Sequence, residues 1–170
     1  MPFFLLRFLL LLALLFGLEL LAPVQRLLIG PWTEWLAAAS GALLAFFDAD
    51  VLAHANVIQS RASGFGVAIL PGCNGVEACL VLLAAVLAFP AGWRAKAAVI
   101  AFGLPAVQLA NLLRIVSLFY LGQWDMAWFE FAHLYVWQAL IMLDVLAVWL
   151  LWMRHLARRG LFLPGATHAR

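Results

Sequence analysis

Long apolar runs, separated by short polar or turn-forming punctuation, dominate the chain. Four of them, at residues 3–22, 74–90, 97–121 and 131–153, have the length and character of membrane crossings. The second is the shortest. Its apolar part begins at Val76 and ends at Phe89, before Pro90, Gly92 and Trp93, and it spans only if Cys73, Asn74 and Gly75 extend its first turn. A fifth stretch, residues 35–47, contains Ser40 and Gly41 and is flanked by Glu34, Asp48 and Asp50. Its length predicts an interfacial or partly inserted helix, with Thr33 as its N-cap. Between Asp48 and Pro71 the pattern changes to β-branched and polar residues with glycines. Phe65, Val67 and Ile69 alternate, which predicts a short β-hairpin.

The expected fold is therefore an all-α integral membrane protein. It is a single domain of about four transmembrane helices with one interfacial helix and a small hairpin. Composition agrees. Hydrophobic residues are 68% and charged residues 11%, with a mean hydropathy of +1.07. A soluble domain of 170 residues has too little interior to hide that much apolar surface. The first run is longer than a signal-peptide core and lacks an A-x-A site at its end, so a retained anchor is expected.

The net charge of +2 says less than its distribution. Arg94 and Lys96 lie between two apolar runs, and Arg154, Arg158, Arg159 and Arg170 crowd the C-terminus. Such clusters mark the cytoplasmic side. The third and fourth crossings then form a hairpin whose turn, residues 122–130, is extracytoplasmic. The second crossing starts outside near Cys73, and residues 23–72 lie outside. No basic face with interleaved aromatics exists on a soluble scaffold, so nucleic acid is not an expected partner.

Two cysteines, Cys73 and Cys79, exclude a disulfide framework. Six residues apart on one helix they are separated by ~600° of rotation and point to different faces. Cys79 is expected to be packing. His54, His133, His155 and His168 are scattered and no ligand spacing occurs, so neither a metal site nor a cofactor is expected.

The topology brings three residues to one membrane face. Cys73 opens the second helix, His133 opens the fourth, and Arg114 lies in the third, about 10 Å below its outer end. At a helix N-terminus, with Asn74 as cap, the Cys73 thiolate is stabilised and is a nucleophile for acyl transfer. His133 moves protons near neutral pH. Arg114 keeps its charge and can hold an oxyanion, and a fixed charge within a crossing is functional by default. Glu77, one turn after Cys73, is expected either to orient Arg114 or to act directly in catalysis, with Asn111 in support of Arg114. Asp144 lies about 16 Å deeper than His133 and is expected in a buried helix–helix hydrogen bond.

The segments PGCNGVEA (71–78), NLLRI (111–115) and FAHLYVWQ (131–138) resemble the exosortase/archaeosortase family in content, order and placement on successive crossings. The short length, the CNGVEA form and the LAFPAGWRAK stretch look most like the small exosortase H class. Asn74 stands where larger relatives commonly carry Ser. The resemblance implies that Cys73, Arg114 and His133 are the catalytic trio of a cysteine peptidase or transpeptidase. It implies substrate proteins bearing a C-terminal motif of the PEP-CTERM type, a transmembrane helix and a basic cluster. It also implies an acceptor of unknown identity and a bacterial inner-membrane location. Two other readings are weighed. A non-catalytic membrane assembly or transport subunit would tolerate Cys73→Ala and misfold on Arg114→Ala. A thiol-redox or envelope-lipid enzyme would need both cysteines on one accessible face.

Overall fold

The computed structural model describes residues 2–160; His168 and Arg170 lie outside them. Helix α1 (Pro2–Glu19) is followed by a bend of 68° into a second continuous helical stretch. That stretch is α2 (Ala22–Val24), a π-helical turn (Gln25–Ile29) and α3 (Gly30–Ala45). The chain then forms β1 (Val51–His54), β2 (Val57–Ser60) and β3 (Gly66–Ala68) before returning to helix as α4 (Val76–Ala88). Helix α5 (Trp93–Trp124) is the longest single element. After it come α6 (Met126–Phe131), a second π-helical turn (Ala132–Val136) and α7 (Trp137–Arg159).

By length and composition α5 and the continuous helix Met126–Arg159 are able to cross a membrane, and the bent pair α1 with 22–45 makes a third candidate if taken as one span. The expected second crossing is only 13 residues of helix, short of the ~20 needed to span a bilayer core. It packs along α1, α5 and α7. The core of this bundle is Leu82, Val86, Val99, Val107, Val145, Trp152 and Leu156. Outward-facing Phe102, Leu109, Leu113, Leu143 and Leu151 remain exposed, as lipid-facing side chains are.

Four expectations need correction. The hairpin is a three-stranded antiparallel sheet in the order β1-β2-β3, with Ile58 opposite Val67 and Leu52 opposite Gln59; the alternating Phe65–Val67–Ile69 run supplies the third strand. The weak stretch 35–47 is helical only through Ala45, and its helix begins earlier than expected: α3 continues the π-helical turn without a break and carries Pro31 just after it. Thr33 is consequently no cap: it is buried mid-helix and its Oγ1 donates to the Ile29 carbonyl. The presumed outer turn 122–130 is almost entirely helical. Only Asp125 breaks it, and its Oδ1 accepts from the amides of Ala127 and Trp128 to start α6.

The length of α5 matters for the site. At 1.5 Å per residue its 32 residues reach about 48 Å, well beyond a hydrocarbon core of about 30 Å. Arg114 lies 21 residues beyond Trp93, about 32 Å along the helix, and the last turns extend further still. The sheet docks there. Ile58, Ile69, Leu36 and Leu44 bury against Ile115 and Phe119. Phe65 lies directly over Gly122, where a Cβ would collide with its ring, and contacts Phe119 and Phe129.

Candidate active site

The loop 71–75 between the sheet and α4 carries Cys73. Its N–H donates to the Leu70 carbonyl at 2.9 Å. Gly75 follows with φ of +73°, a left-handed conformation that a Cβ disfavours, and lies so close to Gln108 and Asn111 of α5 that a Cβ would meet their amide groups at 2.9–3.0 Å. Asn74 is wholly buried. Its Oδ1 accepts from the Val76 amide, its Nδ2 donates to Thr33 Oγ1 at 3.1 Å, and its carbonyl accepts from the Trp32 indole. Asn74 therefore ties the loop to α3 while capping α4 from one residue further out than expected. Cys73 sits in the turn before α4, not in its first turn.

Three groups from three elements meet at this loop. Cys73 Sγ is 3.9 Å from His133 Nε2 and 3.8 Å from Arg114 Nη2, and the same Nη2 is 3.5 Å from His133 Nδ1. Arg114 is 4% exposed. His133 lies in the second π-helical turn, a widened turn of the kind that re-aims side chains at functional sites. Phe129, one turn earlier, stacks on its ring at 5.6 Å with the planes 8° apart.

A guanidinium only donates. His133 Nδ1 facing Arg114 is therefore an acceptor, and the neutral ring carries its proton on Nε2, directed at the sulfur. Burial pushes the Cys73 thiol up, Arg114 pulls it down, and Glu77 pushes it up. Desolvation outweighs the cation, so the expected stabilised thiolate is not the resting form; the group is a thiol that ionises above its ordinary range.

The supporting residues differ from expectation. Glu77 does not pair with Arg114. Its Oε1 accepts from the Gly72 amide at 2.6 Å, bracing the Cys73 loop. Asn111 is wholly buried beneath Gly75, and neither atom of its amide has a partner among the described residues, so it supports the loop by contact and makes no hydrogen bond to Arg114. Asp144 also lacks the expected bond, its Oδ2 being buried and unpartnered. Cys79 accepts a hydrogen bond from Gln108 at 3.3 Å, and both cysteines are free thiols. Sequence reasoning missed the roles of Thr33, Gly75 and Phe129 at the site and read β3 only as part of a two-stranded hairpin. Of the three missed roles, only the four-residue spacing of Phe129 and His133 carried a signal.

A small cleft of about 170 Å³ opens onto the trio, walled by Cys73, Arg114, His133, Phe129 and the strand residues 66–70. A larger cleft of about 620 Å³, with apolar walls including Trp35, Leu36, Leu80, Leu83 and Leu109, lies between α3, α4 and α5.

Among known proteins, the family model described as transmembrane exosortase, EpsH type, matches residues 2–151. No curated protein and no solved structure matches the chain.

Proposed function

The chain belongs to the transmembrane exosortase family, and from that premise we propose that it is a membrane-embedded cysteine peptidase or transpeptidase acting on C-terminal sorting signals. The observation that carries the proposal is the convergence of a thiol, a guanidinium and an imidazole, none more than 3.9 Å from the next, at one end of the helix bundle.

Cys73, ionised by loss of its proton to water at the rim, attacks the scissile carbonyl and forms the C–S bond. Arg114 turns its N–H donors to the tetrahedral oxyanion. That movement frees His133 Nδ1, which takes a proton from water while Nε2–H gives its own to the departing amine. Collapse breaks the C–N bond and leaves a thioester on Cys73, resolved by water or by the amine or hydroxyl of an acceptor.

The charges support an orientation. Arg94 and Lys96 begin α5, and Arg158 and Arg159 end α7, so both clusters lie at the end of the antiparallel pair remote from Cys73. By the positive-inside rule that end is cytoplasmic, in a bacterial inner membrane, and the trio is extracytoplasmic. A substrate with a single crossing, PEP-CTERM-like, then presents its motif at the level of Cys73. Its apolar helix has the α3–α4–α5 cleft to lie in, and its basic tail stays in the cytoplasm.

The test is co-expression with a tagged protein carrying such a signal. The native chain is expected to shorten the tagged protein, Cys73→Ala to leave it intact, and hydroxylamine to release a trapped thioester-linked species from the native chain. Equal processing by Cys73→Ala overturns the proposal.

A further inference from the structure

The strand β3 is an edge strand, and its open edge is a wall of the cleft that holds Cys73, Arg114 and His133. The direction of its backbone groups follows from its bonds. Phe65 accepts from the Ser60 amide, and Ile69 donates to the Asn56 carbonyl and accepts from the Asn56 side chain. Val67 stands opposite Ile58 between them. In an antiparallel ladder alternate residues turn their N–H and C=O to the partner strand. Residues 65, 67 and 69 therefore face β2, and Gly66, Ala68 and Leu70 face away from it. The Leu70 carbonyl is used by the Cys73 amide. Among the described residues nothing bonds to the outward groups of Gly66 and Ala68 or to the Leu70 amide. Their side chains add little obstruction: Gly66 has none, Ala68 has a methyl, and both are exposed.

Native proteins usually blunt or cover an open edge. Here it is left open beside a nucleophile only a few residues further along the same chain. We infer that the substrate's cleavage motif binds as an added strand on β3, its backbone paired with Gly66, Ala68 and Leu70, so that its scissile carbonyl lies at Cys73. The occupant is an extended polypeptide segment. The cleft volume of about 170 Å³ admits a short stretch of backbone with a small side chain and not a folded partner. This inference rests on the peptidase reading and adds to it a mode of recognition. It also sets direction. β3 runs toward the Cys73 loop and then into α4, and a substrate whose helix enters the bilayer just after its motif travels the same way, so the added strand is parallel to β3. Because main-chain bonds carry the affinity, side-chain demands fall on the residues flanking the scissile bond.

The test uses the full chain in detergent or liposomes and a synthetic peptide with a PEP-CTERM-type motif and its apolar segment, N-methylated at one motif residue at a time. Methylation at alternate residues is expected to lower kcat/KM by about ten-fold or more and at the intervening residues by less than about three-fold. On the protein, Ala68→Pro removes only an outward N–H, which edge strands tolerate. It is expected to lower kcat/KM by a similar factor while the alkylation rate of Cys73 by iodoacetamide, which needs no strand pairing, stays within about two-fold. A flat methylation scan, or Ala68→Pro with native kcat/KM, overturns the inference and leaves the peptidase reading intact. If Ala68→Pro does not fold, the methylation scan decides alone, since it leaves the protein unaltered. A peptide that the native chain does not cleave, or that Cys73→Ala cleaves equally, overturns both.

Discussion

Arg114 Nη2 lies 3.5 Å from His133 Nδ1 and reaches the Cys73 sulfur from the same nitrogen. In the proposed mechanism this one cation both sets the imidazole tautomer and receives the oxyanion. Both tasks need the planar fork of several donors, which lysine does not provide. Arg114→Lys keeps the charge and is expected to lower kcat by about 10²–10³ with little change in KM, the behaviour of a donor used in the transition state. Steady-state cleavage of a sorting-signal peptide measures it. A variant within about two-fold of native kcat removes Arg114 from the oxyanion role.

The environment of Cys73 dictates a pH profile. Burial raises its thiol, so the thiolate is scarce at neutral pH and grows with each step upward until the raised pKa is passed. Alkylation by iodoacetamide is expected to go on accelerating at pH values where an ordinary thiol, whose pKa is about 8.5, is already almost fully ionised. The neighbours shift this in opposite senses. Removing the lowering influence with Arg114→Gln moves the profile to higher pH, and removing the raising influence with Glu77→Gln moves it to lower pH. The second variant keeps an oxygen to accept from the Gly72 amide, so the loop stays braced.

The sequence revealed the two long apolar helices and the three chemical groups because each has a strong local sign: long apolar runs, and an arginine that has no cheap place within them; the expected second crossing is only a 13-residue helix. It did not reveal what aligns the groups. Glu77 looked like a partner for Arg114 because helix spacing places it one turn below Cys73. But Cys73 is not on that helix, and the turn it occupies brings the Gly72 amide over the carboxylate instead. The bond between Asn74 and Thr33 joins positions 41 apart, and no periodicity reports such a pair. The π-helical turn at His133 is invisible for a different reason: its extra residue shifts the helical phase by about 100°, and a run that is apolar on most faces carries no stripe to register the shift. The third strand was read only in part, since its alternation was clear but its pairing was not.

The loop carrying Cys73 is held by Gly75 and by the Asn74–Thr33 bond, and the two fail differently. Gly75→Ala forces a Cβ onto a backbone with φ of +73° and against the Gln108 and Asn111 amides. The conformation alone costs about 1–2 kcal/mol, and the displaced loop carries the sulfur with it, so both melting temperature and cleavage are expected to fall. Thr33→Val leaves the fold of α3 unchanged but strands the buried Asn74 Nδ2, at about 1–3 kcal/mol. Thermal melts in detergent, read beside the Cys73 alkylation rate, are expected to show a lowered midpoint for both variants and altered alkylation chiefly for Gly75→Ala.

Gly122 tests whether the sheet must stay docked for the trio to work. Its Cα faces the Phe65 ring with no room for a side chain, and Phe65 in turn contacts Phe129, which stacks on His133. Nothing at Gly122 touches Cys73 or Arg114. A branched side chain there drives Phe65 off α5 and takes with it the start of β3 and the packing behind the imidazole, while the transmembrane core around Leu82 and Val107 is undisturbed. Gly122→Val is therefore expected to reduce cleavage by about ten-fold or more with only a modest drop in melting temperature. Phe65→Ala in the same chain makes room for the valine and is expected to recover part of the loss relative to Gly122→Val alone, a coupling that a double-mutant cycle measures directly. Strict additivity of the two substitutions would mean that the Phe65–Gly122 contact has no part in positioning His133.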